Sequence, residues 1–317
     1  MSMSASTKRR EDAARIQFPE KNLEPAPVIN HPLPKDQGRA VSPSVPVGVP
    51  ASMKIIVCVK EVMDPDAVNN YAVAGRLEIG ADGKTLTQTA IPKLMNGYDE
   101  QAIEAALRLR DAGADFTLTV ISAGTEPDKM LKHAAALGAQ EIIAIAVDPA
   151  EIDHHSVATL LAAQIETSGG ADLILCGRQA SDDDQGVVPA LVAESLGMPV
   201  VTLARAVELQ GEKLRVTRVT PDGDEVVEVA CPAVVTISNE LGDPRYPTAS
   251  AKVKARRVKP TVVTPEDLNL DEDQLHPRVM LTKQFVPEVQ GNCEFLQGEP
   301  AEIADQLIQR LKADSIL

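Results

Sequence analysis

A chain of 317 residues with 44% hydrophobic content can bury one large core or two modest ones. Its formal net charge of −15, with no Trp, 4 Phe and 3 Tyr, argues against a nucleic-acid binder, because acids dominate and stacking rings are scarce. No apolar run reaches the roughly 18 residues that span a bilayer, and cysteines scattered at 58, 176, 231 and 293 fit reduced thiols, so a cytoplasmic protein without membrane insertion is expected.

Residues 1–52 carry eight prolines and no periodic apolar pattern, the composition of a disordered extension. Its five acids argue against a mitochondrial transit peptide. Met53 followed by KIIVCVK looks like a natural beginning, so the extension reads as a real tail or an upstream start. Lys54 to Lys60 is a short apolar run with β-branched residues, a first buried strand. Glu61 to Ile91 is polar and hairpin-like around Asp82-Gly83, and no GxGxxG follows the strand, so an ordinary dinucleotide site is not supported. From Tyr98, the residues Ala102, Ile103, Ala106, Leu107 and Leu109 mark one helix face ending at Gly113, with Asn96 as its cap.

Phe116 to Ile121 is the next strand, with Ser122 to Gly124 as its exit, and Pro127 opens a helix that ends at Gly138. Glu141 to Val147 is a strand, followed by a helix through Val157, Leu161 and Ile165. Leu173 to Cys176 is apolar throughout, as in a central strand covered on both faces. A polar loop with three successive aspartates follows, then a helix through Val188, Leu191 and Leu196 that Gly197 and Pro199 stop. Strands alternating with helices imply a doubly wound, mostly parallel α/β sheet. Val200–Leu209, Lys213–Val219 and Glu225–Ala230 read as a meander, and Pro232 to Ser238 as a further buried strand. Beyond lies a long polar arm with the basic run Lys252, Lys254, Arg256, Arg257 and Lys259, closed by an amphipathic helix, Ala301 to Leu311. The expected organisation is an extension at 1–52, a nucleotide-binding domain at 53–240, and at 241–317 an extended C-terminal arm and helix that wrap another subunit.

Ligands of open α/β sheets sit at the carboxyl ends of strands, where helix N-termini offer free N–H groups. The loop after Cys176 is in that place. Its aspartates suit ribose hydroxyls and an adenine amino group, while phosphate would fall to backbone N–H groups, Arg178 or Gln185; the plainer alternative is that they cap the following helix. His154-His155, preceded by Asp153, reads as a solvated helix start rather than a metal site, since no second ligand pair at metal spacing occurs. No nucleophile or acid–base pair stands out, so a nucleotide-holding role is expected rather than bond-breaking.

The chain resembles the electron transfer flavoprotein β (small) subunits, the FixA group. The resemblance runs from Met53 to the C-terminus and rests on KIIVCVKEVMD, MNGYDEQAIEAALRL, the SAG turn before ALGAQ, LILCGRQASDDD and PAVVTIS…LGDPRYPTASAKVKA. It implies a heterodimer with an α subunit that mainly holds the FAD, and a β subunit that binds AMP, or a second FAD in electron-bifurcating members. That is an electron-transfer carrier rather than an enzyme, drawing electrons from dehydrogenases such as acyl-CoA dehydrogenases. The resemblance places nucleotide contacts at Cys58, at Asn96, Gly97, Tyr98 and Asp99, at Ala123, and at Gly177, Arg178, Gln179, Ala180, Ser181, Asp182, Asp183, Asp184, Gln185, Gly186 and Val187. It places dehydrogenase docking at Arg245, Tyr246, Pro247, Thr248, Ala249, Lys252 and Lys254, with Ala249 where family members carry a leucine anchor. The competing expectation is a stand-alone adenine-nucleotide module of the universal-stress-protein type, which would end soon after its last core strand.

Overall fold

A computed structural model describes residues 53–125, 127–211, 213–286 and 293–317; the expectation for residues 1–52 lies outside them. In chain order the elements are β1 (Met53–Cys58), β2 (Glu61–Met63), α1 (Pro65–Val73), β3 (Lys93–Met95), α2 (Gly97–Asp111), β4 (Phe116–Gly124), α3 (Asp128–Leu137), β5 (Glu141–Ala146), α4 (His154–Thr167), β6 (Leu173–Gly177) and α5 (Val188–Leu196). They continue with β7 (Val200–Gln210), β8 (Lys213–Thr220), β9 (Gly223–Ala230), β10 (Ala233–Ile237), α6 (Ala249–Ala255), β11 (Thr261–Val263), α7 (Glu272–Leu275) and α8 (Pro300–Ala313).

Nine strands form one sheet in the order β11-β5-β4-β1-β6-β10-β7-β8-β9. Pairing is parallel from β11 to β7 and antiparallel from β7 to β9, so the meander is not a separate layer but an extension of the main sheet. The two-residue side-chain period of the central strands divides the core. Ile55, Val57, Leu173 and Leu175 face α2 and α3, while Ile56, Cys58, Ile174 and Cys176 face α4 and α5. Both faces are covered, which is why these strands read as unbroken apolar runs. The doubly wound expectation holds.

Two elements depart from the sequence reading, α1 and the return of the arm. The stretch after β1 contains α1, capped by Asp64, whose carboxylate accepts from the N–H groups of Asp66 and Ala67, with Pro65 in the first turn. The hairpin-like turn around Asp82-Gly83 follows it as a short one, with the antiparallel bridge Ile79 to Leu86 and the bonds from Gly80 N to Thr85 O at 2.7 Å and from Thr87 N to Glu78 O at 3.0 Å. In the arm, β11 returns to pair with β5 and the short helices around Leu268 and Leu275 pack on α4, so residues up to about 279 are held by the domain. Asp153 pins this return by accepting from the N–H groups of Arg278 and Val279. Beyond it, among the described residues, Gln284 N–H donates to Gly83 O at 2.7 Å, while Val279, Met280, Phe285 and Phe295 are exposed and α8 buries none of its residues.

Candidate functional site

The carboxyl ends of β4, β1 and β6 lie side by side, and the N-terminus of α2 reaches those of β1 and β6. Asp99, in the first turn of α2, is buried and bridges two strand exits, accepting from the N–H of Lys60 at 2.8 Å and of Gly177 at 2.9 Å. Burial pushes its carboxyl up to about 7 against the pull of those N–H groups. Gly177 is required for closeness, not for turn conformation. A Cβ there would strike the Asp99 carboxylate and come within 2.7 Å of Tyr98 Cβ.

Asn96 occupies the N-cap position of α2, as expected, but its side chain does not cap. Its amide instead donates to Gln179 O at 2.8 Å and accepts from Ser181 N at 3.2 Å, tying the helix start to the loop after β6. The aspartates do not cap α5 either: the N-cap of that helix is Val187, with no side-chain bond. Asp182 and Asp183 take the Lys60 ammonium at 2.7 and 3.1 Å, and Asp183 also meets His154 Nε2 at 3.0 Å. Asp184, in the left-handed region at φ 53°, accepts from Gln179 Nε2 at 2.7 Å. Burial works against charge on Lys60 and on Asp183, yet their partners win: Lys60 is held above, and Asp183 below, its ordinary pKa. Asp182 and Asp183 share the single Lys60 ammonium, so part of the loop's negative charge is already compensated.

Lys60 and His154 went unremarked in the sequence as loop partners. They lie 122 and 29 residues from the aspartates they meet, and nothing local announces the pairing. The His154-His155 pair does open α4, and the described residues contain no group of three or more potential metal ligands.

Arg178 leans over the Tyr98 ring, 5.8 Å from its centroid, and lines a cleft of about 270 Å³ with Gln185, Gly186, Thr202, Leu203 and Thr236. Leu203 adopts φ 61° beside an irregularity in β7, its N–H taken by Thr236 Oγ1 at 2.9 Å. A leucine in that region is strained, which no sequence pattern foretells. Three buried polar atoms at these strand ends, Ser122 Oγ, Ser181 Oγ and Arg178 Nε, have no hydrogen-bond partner among the described residues. Buried polar groups are almost always satisfied, so this donor set fits a polar ligand such as a nucleotide. Cys58 and Cys176 are paired across β1 and β6 and buried beneath the site, Ala123 sits at the β4 exit beside Ser122, and Ala180 accepts the turn bond from Asp184 N at 2.8 Å. Gly97 is exposed at the start of α2.

The second group of residues lies elsewhere. Arg245 is clamped by Glu104 at 2.7 Å and Asp111 at 2.6 Å, with Arg108 on the same nearly buried Glu104 at 2.9 Å, so it anchors the loop to α2. Tyr246 beyond it is 90% exposed. Pro247 leads into Thr248, whose hydroxyl caps α6 by accepting from Ala251 N; Ala249, Lys252 and Lys254 on that helix are exposed. None of the five cations from Lys252 to Lys259 forms an ion pair among the described residues.

Residues 84–263 match the family described as Electron transfer flavoprotein domain. The chain is 33% identical over 271 residues to an electron transfer flavoprotein subunit beta of Thermoanaerobacterium thermosaccharolyticum, covering 84% of this chain and 100% of the relative. It is 31% identical over 266 residues to the human electron transfer flavoprotein subunit beta, covering 83% and 98%. A caffeyl-CoA reductase-Etf complex subunit CarD of Acetobacterium woodii is 31% identical over 272 residues, covering 84% and 100%.

Proposed function

Because this chain belongs to the electron transfer flavoprotein β-subunit family and so serves electron transfer, we propose that it holds an adenine nucleotide at the β4–β1–β6 strand ends. In this reading it completes a cytoplasmic heterodimer with a flavin-bearing α subunit. The nucleotide is AMP, or the adenine half of a second FAD. When bound, FAD supplies reversible electron storage. The chain's own residues bind, orient and exclude water. Asp99 and Asn96 fix the loop against α2, and Lys60 and His154 latch its aspartates. The observation that carries the reading is the set of unpartnered buried atoms at Ser122, Ser181 and Arg178.

The bare apolar residues of the arm favour a subunit over a stand-alone module. Val279, Met280, Phe285 and Phe295 are between 67% and 83% exposed, and a partner surface would cover them. Docking to a dehydrogenase is assigned to the segment from Arg245 to Lys254, with Tyr246 as an amphipathic anchor. The test is to co-purify the chain with its α partner and mix the heterodimer with a substrate-reduced acyl-CoA dehydrogenase. Bleaching of the heterodimer's flavin absorbance supports the reading; a heterodimer that carries flavin but is never reduced contradicts it.

A further inference from the structure

A groove of about 520 Å³ runs between β3, α3 and α6. Its apolar lining comes from Leu94, Met95, Met130, Ala136 and Ala255. Two of the cations on its rim are neutralised locally, Lys93 by Glu61 at 3.3 Å and Lys132 by Asp128 at 2.8 Å, and His133 Nε2 lies 3.4 Å from Glu100. On the α6 wall, Lys252 and Arg256 have no ion-pair partner among the described residues, in a chain whose net charge is −15. An acidic surface is repelled by most of this protein and attracted here.

We propose that this groove is a docking site for an acidic, amphipathic segment of a partner protein, whose apolar side chains enter between α3 and α6 while its carboxylates meet Lys252 and Arg256. Apolar lining beneath uncompensated charge is the recognition chemistry of such a segment. A small inorganic anion would use the cations and ignore the lining; a neutral apolar ligand would do the reverse. The inference rests on the docking reading above and moves its centre from the exposed tip at Tyr246 to the inner face of α6.

The test uses the heterodimer and a short fluorescent peptide of alternating leucine and glutamate, with a leucine–lysine twin as the control, followed by anisotropy. The glutamate peptide is expected to bind and the lysine twin not, with affinity that falls between about 0.05 and about 0.5 M salt as the charges are screened. Lys252→Glu with Arg256→Glu should weaken binding by about tenfold or more at low salt, from two attractions turned into repulsions. Leu94→Ser and Ala136→Leu should weaken it with no change of charge. The matched reversal Arg257→Glu with Lys259→Glu, just past the end of α6 and outside the groove, should change it by less than about threefold. Equal loss from both reversals, full competition by inorganic phosphate, or no binding of the acidic peptide would overturn the proposal. Flavin and adenine content, measured on the same samples, reports separately on the function proposed above.

Discussion

Replacing Gly177 with alanine tests whether the exit of β6 is built by close approach. The added Cβ would meet the Asp99 carboxylate, Tyr98 Cβ at 2.7 Å and the Tyr98 carbonyl carbon at 2.9 Å. All three obstacles belong to the start of α2, whose backbone is held by the core behind Ala102 and Ile103 and cannot swing away. Overpacking at a rigid site costs about 1–3 kcal/mol, and displacing Gly177 also strains its bond to a buried carboxylate, worth about 1.5–3 kcal/mol. The terms overlap, so the expected loss is about 3 kcal/mol. Urea unfolding should show a lowered midpoint with an unchanged slope. Gly97→Ala is the control: nothing lies within 4 Å of its Cβ position, and alanine should be neutral or mildly stabilising at a helix start. A Gly177→Ala midpoint equal to wild type, or a Gly97→Ala loss of the same size, would refute the reasoning.

Asp99 is raised from 3.8 to about 7, so the folded state binds its proton more tightly than the unfolded state. The stability it contributes is present below the unfolded value and is lost as pH rises through about 7, by on the order of 4 kcal/mol; stability curves of wild type and Asp99→Asn should converge or cross over that window, and parallel curves would contradict it. Glu104→Gln removes the charge that holds Arg245 and Arg108; with both arginines partly exposed the loss is only about 1 kcal/mol, but trypsin should cut after Arg245 faster than in wild type. A chain starting at Met53 should fold and assemble with the α partner as the full chain does, as judged by gel filtration, because the first strand begins there.

What was legible in the sequence follows from periodicity and punctuation. Leu173 to Cys176 announced a central strand because both of its faces are covered, and Gly138 and Gly197 announced helix ends because they take the left-handed conformation. The start of α1 carries a local signal in Asp64-Pro65, but the helix buries none of its residues, so no apolar periodicity marks its length. β11 was not legible: three residues are too short for any pattern, and the parallel partner β5 supplies the order. At the site, the place of the loop after β6 could be read, since topology puts it at the strand ends. The partners of its aspartates could not, because capping, ribose binding and latching use the same residue type, and Lys60 from just past β1 and His154 from α4 are brought to them only by the fold. For the arm, composition exposed a basic stretch, whereas the clamp of Arg245 by Glu104 depends on α2 lying beneath it.

The central claim is that this chain itself holds an adenine nucleotide against the latched loop, and the most direct measurement counts adenine. The purified heterodimer is denatured in acid, the released nucleotides are separated, and adenine groups are counted per heterodimer for wild type and for the combined Asp182→Ala, Asp183→Ala, Asp184→Ala variant. The account predicts one more adenine group in wild type than the α subunit's FAD supplies, and loss of that extra group in the variant while the α-bound FAD stays. A wild-type count fully explained by the α-bound FAD would contradict it.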